Sequence, residues 1–145
     1  MKLVHYTDNH DFEVHPVTIK NEMWIKPQGG IWCSPVEAEW GWKEWCKESD
    51  FYCAKHEVKI QISTDNLYII DSFDDLDKLP VAPKEIPLPF EVLDFERIKE
   101  SGIDAIHLTI KGEQETRFTR PKWLYGWDCE SVLILNEQCI EKIET

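Results

Sequence analysis

The sequence has no cysteine pair spaced C-x-x-C, although it carries five cysteines, at positions 33, 46, 53, 129 and 139. Zinc ribbons and thioredoxin-type centres need that spacing, and an odd count does not close into a disulfide framework; free thiols of a reducing compartment are expected. Long apolar runs are missing too. The opening MKLVHYTDNHDFEVH holds none of signal-peptide length, and no later run reaches membrane-spanning length. The expectation is a cytoplasmic protein with no membrane partner. Positive charge is scarce: 16 Lys and Arg stand against 28 Asp and Glu, for a net charge of −12. A field of that sign repels phosphate backbones and anionic lipid, so bulk nucleic-acid binding is disfavoured unless a local basic patch overrides it.

Metal signatures are lacking as well. His5, His10 and His15 recur every five residues, a spacing that does not bring three imidazoles to one face of a strand. Asp71, Asp74, Asp75 and Asp77 lack the glycine and glutamate positions of a calcium loop and read as a solvated face. No local context singles out a cysteine–histidine nucleophilic pair. Repeats and low-complexity segments are absent.

What is present fits one domain of 145 residues with 42% hydrophobic content. Seven tryptophans are many for this length. Each buries roughly 150–250 Å², so several are expected in the core or along a pocket.

The pattern of elements is mixed. KLVHY (Lys2 to Tyr6) reads as a strand ended by the turn-prone TDNHD. Ile31 to Cys33 reads as a strand entered through two glycines. Ser34-Pro35-Val36-Glu37 then has the form of a capping box, and predicts a helix with Ala38, Trp42, Trp45 and Ser49 on one face. His56 to Ile62 alternates with period two, and Asn66 to Ile70 follows as the next strand. Asp71 to Phe90 is acidic and then carries prolines at 80, 83, 87 and 89, which predicts a surface excursion with no helix. VLDFERIKESG reads as a helix from about Asp94 to a stop at Gly102, and Ile103 to Ile110 as a strand. KGEQETRFTRPKW reads as a polar loop. Ser131 to Asn136 is the strongest buried-strand signal, and CIEKIE alternates after it.

Three pieces carry chemistry-bearing residues at element ends. LVHYTD places His5 in the first strand, beside Tyr6 and Thr7. GGIWCS brings Gly30, then Trp32, then Ser34. WDCESVLILN sets Asp128 and Glu130 at the mouth of an apolar strand, where a carboxylate does not serve packing.

This order resembles the ADP-ribosyltransferase fold, in the branch of diphtheria toxin and the poly(ADP-ribose) polymerases, whose motif is a histidine, tyrosines and a glutamate. SGIDAIHLTI is similar to the helix–glycine–strand passage in the middle of such domains. The resemblance runs the length of the chain through short motifs. It implies a single α+β domain over residues 1–145, with two packed, mainly antiparallel sheets, flanking helices and a proline-rich excursion at 71–90. It also implies NAD as co-substrate and a mono-ADP-ribosyltransferase activity toward a protein or nucleic-acid acceptor. His5 stands at the histidine that bonds a ribose hydroxyl, and Trp32 at the first tyrosine, which stacks on nicotinamide. Glu130 stands at the glutamate that stabilises positive charge on the ribose as its bond to nicotinamide breaks. Tyr6, Thr7, Gly30, Ser34 and Trp42 fall around the same NAD site, and Asp128 at the acceptor-orienting position. Lys43 occupies the second tyrosine position, with Trp42 beside it, and Tyr6 stands where the family often has glycine. The alternative reading is a catalytically inactive domain of the same fold that binds a protein or nucleotide. On either reading Trp42 and Trp45 also serve to hold their helix to the sheet, and His5, Trp32 and Glu130 are expected around one cleft.

Overall fold

The computed structural model describes residues 1–22, 25–84 and 86–145. In chain order the elements are β1 (Lys2–Thr7), β2 (Ile19–Lys20), β3 (Gln28–Gly29), β4 (Ile31–Pro35), α1 (Trp42–Glu48), β5 (His56–Ile62), β6 (Leu67–Ile70), α2 (Phe73–Asp77), α3 (Phe95–Glu100), β7 (Ala105–Leu108), α4 (Ile110–Thr116), β8 (Ser131–Ile134) and β9 (Ile140–Glu144). This is an α+β domain. The expected pair of packed sheets is replaced by one mixed seven-stranded sheet, ordered β6-β7-β8-β4-β1-β5-β9, and a small β2-β3 ribbon. Only β6 and β7 run parallel; the other sheet pairs are antiparallel. Among the described residues no helix is long and apolar enough to cross a membrane.

The sheet is continuous because β4 changes partner. Its residues Ile31, Trp32 and Cys33 pair with Ile134, Leu133 and Val132 of β8. Ser34 and Pro35 pair with Val4 and Leu3 of β1. Alternation along β8 then sends side chains into two cores. Leu133 and Leu135 join Phe95, Ile98, Leu124 and Trp127 on one side, while Val132 and Ile134 join Leu3, Val58, Ile60 and Cys33 on the other. Every residue of β7 and β8 is buried. Strands covered on both faces lose the alternating pattern, which is why SVLI reads as a continuous apolar run.

Several expected boundaries move. The helix after Ser34 begins at Trp42, not Pro35, because Ser34 and Pro35 are committed to β1. Ser34 still caps it across space: its Oγ accepts from the Trp42 backbone N–H at 2.9 Å, while Glu44 reaches back to the Gly41 N–H at 3.0 Å. The acidic stretch expected to be non-helical forms α2, capped by Ser72, whose Oγ accepts from the Asp75 N–H. Asp74 and Asp75 lie in its first turn, where the helix dipole favours negative charge, and Leu76 is buried. The excursion beyond it includes Glu85, which lies outside the described residues. The end of α2 and the start of the excursion are pinned by Lys122, whose ammonium donates to the Asp77 carbonyl at 2.7 Å and the Leu79 carbonyl at 3.4 Å. The strand expected through Ile110 stops at Leu108, and the supposed polar loop opens with α4, capped by Thr109. The first strand extends to Thr7, and the helix expected from Asp94 is α3, with Asp94 as its N-cap.

Gly112 explains why α4 looks unlike a helix in sequence. A Cβ at this position would lie 2.0 Å from the Ile70 carbonyl oxygen. The helix therefore packs on the end of β6 only with glycine there. Gly112→Ala is expected to lower the urea midpoint of unfolding, with a loss of about 1–3 kcal/mol, the usual range for overpacking. An exposed control such as Glu115→Ala should move it far less.

Candidate functional site

Where β4 leaves β8 for β1, the sheet opens. The β1–β4 ladder runs only through Leu3–Pro35 and Val4–Ser34. One residue further along β1, the His5 imidazole spans the gap, with Nδ1 2.8 Å from the Trp32 carbonyl oxygen. A carbonyl only accepts, so Nδ1 is the donor, and in the neutral tautomer this leaves Nε2 as an acceptor. The His5 ring packs on Phe12 with centroids 5.0 Å apart.

A cleft of about 280 Å³ lies at this opening, lined by His5, Tyr6, Lys26, Trp32, Cys33, Ser34, Trp42, Trp127, Asp128, Cys129 and Ser131. Register explains the grouping. Val4 lies opposite Ser34, so Tyr6, Ser34 and Trp32 project from the same side, whereas His5 pairs with Val58 on the other. Trp32 meets Trp127 edge to face at 4.8 Å, and Trp127 stacks on Phe95 at 6.3 Å, which anchors this wall in the core. Trp42 stacks on Trp45 at 5.1 Å and meets Phe51 at 5.8 Å, so it both borders the cleft and holds its helix in place. The loop before α1 is tied to the opposite lip. The Trp40 carbonyl accepts from the Glu130 N–H at 3.0 Å, and the Trp40 indole donates to the Asp128 carbonyl at 3.3 Å.

The electrostatics of the lining are uneven. Burial, with Glu57 and then Glu44 adding negative charge, pushes the Tyr6 phenol up to about 12. Burial also pushes the Cys33 thiol up, and the Cys129 thiol up to about 11. Neither thiol is activated as a nucleophile, which needs a lowered pKa. Asp128 accepts from Arg117 at 3.1 Å, and the same guanidinium donates to Glu113 at 3.1 Å. Arg117 in turn lies over the exposed rings of Phe118 and Tyr125, at 5.7 and 5.3 Å. Among the described residues no group of three His, Cys, Asp or Glu side chains is placed to hold a metal ion.

Six residues named from sequence thus border one cleft: His5, Tyr6, Trp32, Ser34, Trp42 and Asp128. Four do not. Thr7 ends β1 opposite His56, where its Oγ1 accepts from the Asn9 N–H at 3.1 Å. Gly30 lies beneath the β4 entrance with φ +77°, and a Cβ there would meet Leu133 Cδ1 at 2.5 Å. Lys43 points to solvent and pairs with Glu57 at 2.8 Å. Glu130 sits one residue before β8, and its Oε1 accepts from His107 Nε2 at 2.8 Å. That pair is largely buried, with side-chain exposures of 11% and 16%. Cys33, Trp127, Cys129 and Ser131 also line the cleft without having been named as site residues from sequence, and Lys26 does so with no sequence signal: it lies in an irregular segment and its ammonium stands 5.5 Å from the Trp32 ring centroid.

No family model matches the chain, and no curated protein or solved structure gives a significant match.

The Tyr6 shift has a measurable consequence. In the unfolded chain the phenol ionises near its ordinary value of 10.0, but in the folded protein only near 12. The contribution to stability is therefore complete below about pH 10 and lost as the pH rises toward 12. Tyr6→Phe should remove that part of the alkaline loss, read as the difference between variant and parent in urea unfolding at pH 9 and pH 11. Parallel curves for the two proteins would contradict the assignment.

Proposed function

We propose that the protein is an ADP-ribosyltransferase-type domain that takes NAD as co-substrate and holds its nicotinamide end in the tryptophan-lined cleft. One observation carries the reading. His5, Tyr6, Trp32, Ser34, Trp42 and Asp128 come from three segments far apart in sequence, and all border one cleft. The adjacency of β8, β4 and β1 at the centre of the sheet brings those segments together.

The chemistry fits the lining. A flat pyridinium ring is attracted to an aromatic face, most strongly to tryptophan, and Trp32 is held by Trp127. Ser34 and Tyr6 offer hydroxyls beside it, and His5 Nε2 is an acceptor for a ribose hydroxyl. Breaking the bond between nicotinamide and ribose builds positive charge on the sugar, and a preplaced carboxylate lowers the energy of that charge. Two carboxylates bracket Cys129. Asp128 is on the cleft wall and paired with Arg117; on this reading it orients the acceptor. Glu130 accepts a hydrogen bond from His107, which fixes its orientation.

The engagement of Glu130 by His107, outside the cleft lining, favours a second reading: a domain of this fold that binds a nucleotide or protein and performs no transfer. Incubation with labelled NAD separates the two. On the transferase reading nicotinamide is released, and Glu130→Gln lowers its release by about 10²–10³-fold, the loss usual for one preorganised electrostatic partner. Asp128→Asn should spare release and impair transfer of label to an acceptor. Trp32→Ala should abolish most of the thermal stabilisation by NAD, which for the parent amounts to about 2.7 kcal/mol at a hundredfold excess over Kd. Stabilisation without nicotinamide release selects the binding module; neither effect at millimolar NAD rejects both uses of the cleft for NAD.

A further inference from the structure

We propose that Lys26 is the specificity-determining residue of the cleft, and that it admits a flat-ring ligand carrying a phosphate while disfavouring the same ring without one. The inference rests on the reading of the cleft as a nucleotide-ring site. Among the described residues that line the cleft, Lys26 alone is a lysine or arginine. Its side chain is exposed and makes no ion pair among the described residues. The ammonium instead stands 5.5 Å from the centroid of Trp32, within the range of cation–π attraction.

The placement has two consequences for a ligand. Trp127 already meets Trp32 edge to face at 4.8 Å, and Lys26 covers the same ring. A pyridinium ring stacking there must displace one cation with another, so it gains little from the exchange and suffers repulsion while both are near. A phosphate on the ligand changes the balance. It gives the displaced ammonium an anionic partner, and charge-assisted hydrogen bonds are about twice as strong as neutral ones. Among the described residues no other lining lysine or arginine is available to meet it, in a protein whose net charge of −12 otherwise repels phosphate. The one nearby guanidinium, Arg117, is committed to Glu113 and Asp128. Lys26 therefore acts as an internal counter-cation that only a phosphorylated ring draws away from Trp32.

The test compares paired ligands that differ by one phosphate. Quenching of tryptophan fluorescence is titrated with nicotinamide riboside and nicotinamide mononucleotide, and with adenosine and AMP, for the parent and for Lys26→Met. Methionine keeps the apolar stem and removes the charge. The parent is expected to prefer the phosphorylated member of a pair by about tenfold or more. Lys26→Met should lose about tenfold for the phosphorylated ligand and gain about threefold for the unphosphorylated ring, because its cationic competitor is gone. That crossover is the signature, since a change that merely loosened the cleft would weaken both members together. Equal weakening of both, or no change in either, overturns the proposal. A Lys26-dependent preference for AMP with no binding of either pyridine ligand keeps the role of Lys26 and rejects the nicotinamide reading. Binding of none of the four to the parent overturns both. Circular dichroism of the variant checks the fold, which an exposed side chain should not alter.

Discussion

Between Cys33 and Ser34 the backbone of β4 leaves β8 and joins β1, and the rest of the molecule is arranged around that exchange. Because β4 pairs with β8 over only three residues and with β1 over only two, each half of it leaves carbonyls and N–H groups on one edge to be satisfied elsewhere. The Trp32 carbonyl is taken by the His5 imidazole, and the Val36 N–H by the Lys2 carbonyl at 3.1 Å. The opening left beside these bonds is the cleft. His5 thus has a structural task whatever else it does, and loss of its ring would leave the Trp32 carbonyl unpaired.

The tryptophans divide between support and surface along the same line. Trp127 is 1% exposed and ties the cleft wall to Phe95 in the core. Trp32 leans on it and presents the rest of its ring to the cleft. Trp42 and Trp45 stack along α1, and Trp40 uses both its carbonyl and its indole N–H to hold the segment around Asp128 and Glu130. Rigid, well-packed aromatics along the wall of a cleft are what preorganised recognition needs, because little side-chain entropy is left to lose on binding. Charge is placed with similar economy. Arg117 and His107 each restrain one of the two carboxylates that flank Cys129, so adjacent acids in sequence have different surroundings.

Much of the sheet was legible in the chain. HEVKIQI alternates because only one side of β5 meets the core, and its observed bounds match the expected ones. SVLI is uniformly apolar because both sides of β8 are covered. The differences have two causes: one local signal acts at a distance, and two others are masked by the residues beside them. Ser34 has the form of a helix cap and does cap α1, but eight residues downstream, since pairing with β1 had first claim on its backbone. Ser72 and Thr109 carried cap signals of their own. They were hidden by the acidic run after one and by Gly112 after the other, a glycine required by the Ile70 carbonyl and not by any loop. Lys26 had no signal at all, because a lysine in an irregular segment becomes informative only when an aromatic ring is found beneath it.

The sequence by itself determined that helices and strands are mixed, the strands with a clear period and the residues at element ends that are worth examining, because periodicity and capping are properties of neighbours along the chain. Only the tertiary structure decided that the sheet is single, that β4 is shared, and that Asp128 and not Glu130 reaches the cleft wall. Those outcomes depend on which strands pair and in what register, and a shift of one residue in register exchanges the two faces of a strand. The difference between Asp128 and Glu130 is of this kind: two positions apart in the chain, they are separated by the partners that the folded molecule supplies, Arg117 for one and His107 for the other.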